Sequence, residues 1–89
     1  MNQKLIIESL AMDLKRVALG LHRGSTVMAN RFKKEALERE KQLMNQKVSS
    51  YLKKLLEKTQ DVLKNNDDGV AEDVLMYSTL FQNFALKKM

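Results

Sequence analysis

The sequence predicts an all-α protein, and three observations support this fold class. The 89-residue chain has no proline and only three glycines, so long helices meet few residues that break them. Apolar residues in both outer segments recur at spacings of three and four, which is the period of a helix. The short alternating segments that form β-sheets are absent from the sequence. A chain of this length has room for a single domain, residues 1–89.

The first predicted helix covers about residues 3–22. Its apolar seam, with spacings of 3, 4, 3 and 4, consists of Ile7, Leu10, Leu14, Val17 and Leu21. Gly20 lies within this helix, where it costs about 1 kcal/mol relative to alanine and either allows close approach of another helix or frays the end. A turn follows, in which Gly24 suits the end of one helix and Ser25 the cap of the next.

The last predicted helix covers about residues 69–88. Its seam, with spacings of 4, 3, 4 and 3, consists of Val70, Val74, Tyr77, Phe81 and Phe84. Three of the five aromatic residues of the chain lie on this stripe, so we predict that it faces the core. The polar residues 65–69 before it are asparagines, aspartates and a glycine, which favour a turn and a helix cap.

The middle segment, about residues 26–65, decides between two architectures. It contains neither proline nor glycine and would be about 60 Å long as one helix. We prefer this continuous helix, which predicts an antiparallel bundle of three helices whose thin halves are completed by a second copy in a homodimer. The alternative is a break near residues 45–50, which predicts a monomeric four-helix bundle.

The predicted dimer interface lies on the apolar faces of the first and last helices and of the second half of the middle helix. The apolar face from Val48 to Leu63 is too wide for one neighbouring helix to cover. The candidate interface residues are Val48, Leu52, Leu55, Leu56, Val74, Tyr77, Phe81 and Phe84. The function predicted from this surface is that of a small association module or adaptor, which binds itself and an unidentified protein partner.

Charge supports an alternative function, weak nucleic-acid binding. The net charge is +5, and residues 25–66 carry ten basic and five acidic residues, whereas residues 67–89 carry two basic and four acidic ones. Such a basic segment can contact phosphates. Since acidic residues are interleaved with the basic ones, we expect any binding to be weak and nonspecific, and a solvated helix face accounts for the same pattern.

The start of the middle helix holds a candidate anion site. Backbone amides at a helix start, together with nearby cations, can hold a phosphate. The candidate residues are Arg23, Ser25, Thr26 and Arg31. The Gly-x4-Gly-Lys pattern of a P-loop is missing here, and an ordinary turn and cap explains the same residues.

Arg16 and His22 form the pattern Arg-x5-His. This spacing resembles the Arg-x4–6-His motif of the HEPN superfamily, whose members are helical dimers that include ribonucleases. The resemblance implies that the arginine and the histidine act on an RNA phosphodiester, with the histidine as general acid or base. An HEPN-like ribonuclease is therefore a third hypothesis, and a surface arginine beside a histidine at a helix end is the simpler interpretation.

Residue types limit the remaining functions. The chain has no cysteine and one histidine, so we expect no metal, no cofactor and no disulfide. Because no convergent acid–base set is recognisable, we expect that the protein is not an enzyme. The sequence shows neither a signal peptide nor an apolar run of membrane-spanning length, and we expect no membrane partner and a cytoplasmic location.

Overall fold

The computed structural model describes residues 2–64 and 69–88, and these residues form four α-helices and no strand. The helices are α1 (Gln3–His22), α2 (Thr26–Met44), α3 (Ser50–Leu63) and α4 (Val70–Lys88). The predicted all-α class is confirmed. The predicted turn before α4 lies outside the described residues, except for Gly69. None of the described helices combines the length and apolar character needed to cross a bilayer.

The continuous middle helix is wrong, because α2 ends at Met44 and α3 begins at Ser50. Asn45 caps the end of α2, and Ser49 caps the start of α3 by accepting a 3.2 Å hydrogen bond from the Leu52 amide. A serine side chain that accepts from a free backbone amide favours the start of a new helix, so the segment breaks without glycine or proline. The break falls within the alternative range, residues 45–50.

The turn between α1 and α2 has the predicted residues in their predicted roles. Gly24 has a φ of 71°, a left-handed conformation that glycine adopts without strain. The Ser25 hydroxyl accepts a hydrogen bond from the Met28 amide and caps α2. This short connection makes α1 and α2 antiparallel neighbours.

Contacts between the helices define an up-down-up-down bundle. The Gln3 side chain reaches Gln46 and the Lys47 carbonyl, which places the start of α1 beside the linker into α3. The Tyr51 ring stacks on Phe84 with centroids 5.8 Å apart, so the end of α4 lies at this same end of the bundle. Accordingly α4 is antiparallel to both α1 and α3. The backbones of α1 and α2, and of α1 and α4, approach closely, whereas α3 lies farther from its neighbours.

Gly20 allows close helix approach, one of the two roles predicted for it. A Cβ atom at this position would lie 2.8 Å from the backbone nitrogen of Ala29 and 3.1 Å from its Cα atom. Both atoms belong to backbone, which cannot rotate away as a flexible side chain can. The missing side chain of Gly20 therefore sets the separation of α1 and α2 near their shared turn.

The four helices enclose one apolar core inside a single chain. Its largest fully buried side chains are Phe81, Ile7, Leu10, Leu14, Leu43, Leu52, Leu56 and Leu63. The apolar seams of α1 and α4 both face this core, as predicted for α4, and Leu21, Tyr77 and Phe84 at their edges are partly buried. The periodic pattern thus predicts the inner face of both outer helices.

The eight candidate interface residues all belong to this core or pack against it. Buried within the chain are Leu52, Leu55, Leu56, Val74 and Phe81, and partly buried against them are Val48, Tyr77 and Phe84. The sequence predicts these residues at an interface because a continuous middle helix would leave them uncovered within one chain. Because the broken helix folds back on itself, α4 and the other helices of the same chain cover these residues.

Candidate functional site

A groove of about 560 Å³ runs between α1 and α4 on the outside of the bundle. Its lining residues are Glu8, Ala11, Met12, Lys15, Arg16, Leu19, Ser78, Gln82 and Leu86. The Ser78 hydroxyl donates a 2.7 Å hydrogen bond to the Ala11 carbonyl and joins the two helices within the groove lining. Both of these residues are buried, so the groove has a fixed floor.

The walls of this groove carry exposed apolar side chains. Three of the large apolar residues that are exposed in the described part of the chain line the groove, and these are Met12, Leu19 and Leu86. Scattered single apolar residues are normal on a protein surface. Clustering of such residues beside a groove is instead typical of an association surface. We call the groove, together with the exposed Leu5 on the same side of α1, the α1–α4 face.

On α1 the exposed residues follow a second helical seam. Leu5, Met12 and Leu19 are spaced by seven residues, and their exposed fractions are 46%, 54% and 39%. Glu8 and Lys15 stand between them, so the spacings are 3, 4, 3 and 4. We call these five residues the outer seam. It lies two residues out of phase with the buried seam, which places it on the opposite side of the helix.

Arg16, at one side of the groove, is held by two contacts. Its guanidinium lies 3.9 Å from the Asp13 carboxylate and over the Phe32 ring, 5.3 Å from the ring centroid. Arg31 approaches the same ring at 5.6 Å. These contacts orient Arg16 toward α2, whereas Lys15 is exposed and free to meet a partner along the groove.

Asp13 is the acidic group buried between α1 and α2. Arg39 donates a 2.8 Å hydrogen bond from its Nε atom to the Asp13 carboxylate. Burial raises the pKa of Asp13 above its ordinary value, while the hydrogen bond and the charge of Arg39 oppose this rise. The residue is thus paired within the chain and lies outside the groove lining.

Glu40 is the second buried acid, and it occupies a core position of α2. Its side chain is fully buried, and neither carboxylate oxygen has a hydrogen-bond partner. Burial raises the pKa of Glu40 to about 8, against a smaller opposing effect of the Gln60 side chain on α3. The protonated carboxyl therefore dominates at neutral pH. Sequence analysis did not single out this residue because it lies in a run of charged residues.

The candidate anion site is only partly assembled. Ser25 and Thr26 are adjacent at the start of α2, but the Ser25 hydroxyl already caps the helix. The guanidinium of Arg31 lies over the Phe32 ring, and Arg23 is the exposed C-cap of α1. The anion site stays a prediction from the sequence.

The two residues of the HEPN-like pattern have different surroundings. Arg16 contacts Asp13 and Phe32, whereas His22 is exposed at the last position of α1. The ribonuclease hypothesis therefore rests on the sequence spacing alone.

In the described part of the chain, no three histidine, cysteine or acidic side chains group together in a way that could hold a metal.

The basic residues of the middle segment are spread over α2, the linker and α3. Those that are exposed are Arg31, Lys34, Lys41, Lys47, Lys53, Lys54, Lys58 and Lys64. The acidic residues Glu38, Glu57 and Asp61 are exposed among them. Mixed signs over this surface are typical of a solvated helix face.

The α1–α4 face is the feature that sequence reasoning missed. The sequence analysis did not distinguish Leu5, Met12 and Leu19 from the apolar residues of the first helix that face the core. The seven-residue spacing of these three residues was the signal that could have revealed a separate seam.

Comparisons of the chain with protein-family models, curated proteins and solved structures gave no significant match.

Proposed function

We propose that the protein is a helical association module that self-associates through the α1–α4 face. The observation that carries the proposal is the exposed outer seam of α1 beside the groove. Burial of its three apolar residues against another polypeptide would remove them from water, which is the main driving force of protein association. The predicted homodimer is kept in this proposal, but its contact surface moves from the core to the outside of the bundle.

A second copy is the occupant that we propose for this face, because the face carries charges of both signs. The groove lining contains Glu8 and Lys15, and both belong to the outer seam. A surface that is apolar along its centre and carries charges of both signs can be complementary to itself. A face with charges of one sign would repel its own copy.

The test compares two lysine substitutions that add the same charge at different places. Met12→Lys places an ammonium group in the outer seam. The control, Val27→Lys, alters an apolar residue that is 81% exposed on the first turn of α2, away from the groove. Because both residues are exposed, circular dichroism and thermal melting of the monomer should stay close to wild type.

Sedimentation velocity over a wide concentration range provides the readout. We expect concentration-dependent association of wild type and Val27→Lys, and its loss in Met12→Lys. Equal association of all three proteins would place the contact elsewhere. A wild type that sediments as a monomer at every concentration would overturn the proposed function.

A further inference from the structure

Resting on the proposed function, we infer that two copies pair through α1 in antiparallel orientation, with Met12 at the two-fold axis and Glu8 facing the partner's Lys15. All the residues that make contact in this pairing belong to the outer seam. It is a solvent-exposed stripe, and its three apolar residues keep between 39% and 54% of their surface exposed.

The outer seam is straight enough to pair along its whole length. Residues seven apart on an α-helix are displaced by only about 20° around the axis, so Leu5, Met12 and Leu19 form one line. This line is about 21 Å long, at 1.5 Å per residue. Exposed apolar residues at both ends and in the middle give a second helix three points of contact.

The positions of the apolar residues are symmetric about Met12. Leu5 precedes it by seven residues and Leu19 follows it by seven. When two copies of α1 run antiparallel with Met12 at the axis, each Leu5 meets the partner's Leu19, and the two Met12 side chains meet each other. The flexible thioether of methionine suits such a contact between identical side chains.

The charges in the seam select the antiparallel orientation. Glu8 precedes Met12 by four residues and Lys15 follows it by three, and both project from the same flank of the apolar line. Antiparallel pairing therefore brings each Glu8 close to the partner's Lys15. Parallel pairing about a two-fold axis would instead put Glu8 and the partner's Glu8 at one height on opposite flanks of the apolar line, and likewise the two Lys15 residues, so no pair of opposite charges forms.

Both seams are occupied in this arrangement, so the pairing closes after two copies. A two-fold contact uses the same patch on each partner and leaves none free to add a third copy. Arg16 is already held by Asp13 and Phe32, which leaves Lys15 as the base that meets the partner's Glu8. Exposed ion pairs contribute little affinity, and their main effect here is on orientation and register.

Cysteine cross-linking tests the orientation, because the chain has no cysteine of its own. Leu5→Cys, Met12→Cys and Leu19→Cys each place one thiol in the outer seam. Under mild oxidation with copper phenanthroline, we expect a mixed disulfide when the Leu5→Cys and Leu19→Cys chains are combined. Met12→Cys alone should link to itself, whereas Leu5→Cys alone should not.

Charge exchange gives a second readout that needs no disulfide. Lys15→Glu should weaken the self-association constant about tenfold, since two ion pairs become two repulsive contacts. The double variant Glu8→Lys with Lys15→Glu restores opposite charges, and we expect its constant to return to within about threefold of wild type. Circular dichroism of each variant confirms that these exposed substitutions leave the fold intact.

The outcomes separate the inference from the proposed function. Efficient linking of Leu5→Cys to itself, or association that is indifferent to both charge variants, would overturn the antiparallel register and leave self-association through the α1–α4 face standing. A wild type that is monomeric in sedimentation, with no cross-linking of any cysteine variant, would overturn both.

Discussion

The Nε atom of Arg39 lies 2.8 Å from a carboxylate oxygen of Asp13, and this contact joins α2 to α1. The Asp13 side chain is 4% exposed and that of Arg39 is 30% exposed, so the acid is inside and the base reaches it from the surface. Burial alone disfavours the ionised form of Asp13 and raises its pKa. The guanidinium therefore compensates a charge that the interior would otherwise disfavour.

Removal of this guanidinium should destabilise the fold. Arg39→Met keeps most of the aliphatic stem but leaves Asp13 without its hydrogen bond, and we expect a loss of roughly 3 kcal/mol in the free energy of unfolding. Urea denaturation at pH 7 measures it, with Lys41→Met as a control on an exposed position of the same helix. Equal stability of the two variants would show that the contact contributes nothing.

Glu40 should make the stability of the protein fall as pH rises. The ordinary pKa of this carboxyl is 4.5, and burial raises it to about 8 in the folded protein. The folded state thus binds the proton more tightly than the unfolded state. Its favourable contribution is complete below pH 4.5, decreases between about 4.5 and 8, and is lost above that range.

Glu40→Gln should remove this pH dependence and raise stability at neutral pH. The amide has the shape of the protonated acid but does not ionise, so we expect a gain on the order of 3 kcal/mol at pH 7 and much less at pH 4. The control, Glu38→Gln, alters an exposed acid on the same helix. A difference between Glu40→Gln and wild type that stays constant from pH 4 to pH 8 would contradict the raised pKa.

Gly20→Ala should destabilise the protein although alanine favours helix formation. The new Cβ atom would lie 2.8 Å from the Ala29 nitrogen, which forces α1 and α2 apart. We expect a net loss of about 1–2 kcal/mol, since the overpacking outweighs the gain in helix propensity. Gly69→Ala is the matched control, because nothing lies within 4 Å of its Cβ position. Thermal melting that ranks the two variants in the opposite order would refute the close approach.

Nucleic-acid binding should be weak and insensitive to sequence. Three exposed acids interrupt the eight exposed bases from Arg31 to Lys64, and salt screens the remaining positive charge, so we expect only weak contacts with phosphates. Fluorescence anisotropy with labelled DNA and RNA at about 0.15 M salt measures the affinity. A sub-micromolar complex that prefers one sequence would contradict this prediction.

The inner faces of the outer helices could be predicted from the sequence, whereas the break in the middle segment was misjudged. The apolar residues from Ile7 to Leu21 and from Val70 to Phe84 recur with the period of a helix. This period marks one side of each helix, and that side packs against the core. Ser49 caps the start of α3 by a local hydrogen bond from the Leu52 amide, and this local bond is an alternative to a continuous helical backbone. The choice between a continuous and a broken middle helix depends on how α3 and α4 pack. The local pattern of residues gives no information on this packing.

The candidate association surface was harder to predict because apolar residues occur on both sides of α1. Leu5 and Leu19 are as apolar as Ile7 and Leu21, so residue type does not distinguish the two pairs. Only the packing of the helices shows that Ile7 and Leu21 face the core and that Leu5 and Leu19 stay exposed. Glu40 illustrates the reverse case, since a glutamate in a charged run gives no sign that its carboxyl is buried. In both cases tertiary packing, rather than residue type, decides exposure.

The methionine methyl groups report most directly on association through the outer side of the bundle. Met12 lies in the outer seam, whereas Met44 is the last residue of α2, beside the break. In a dilution series followed by methyl NMR, we expect the Met12 signal to shift with protein concentration and the Met44 signal to stay constant. A Met12 signal that does not change with concentration, or a change at Met44 that reveals a continuous middle helix in the associated form, would contradict the account.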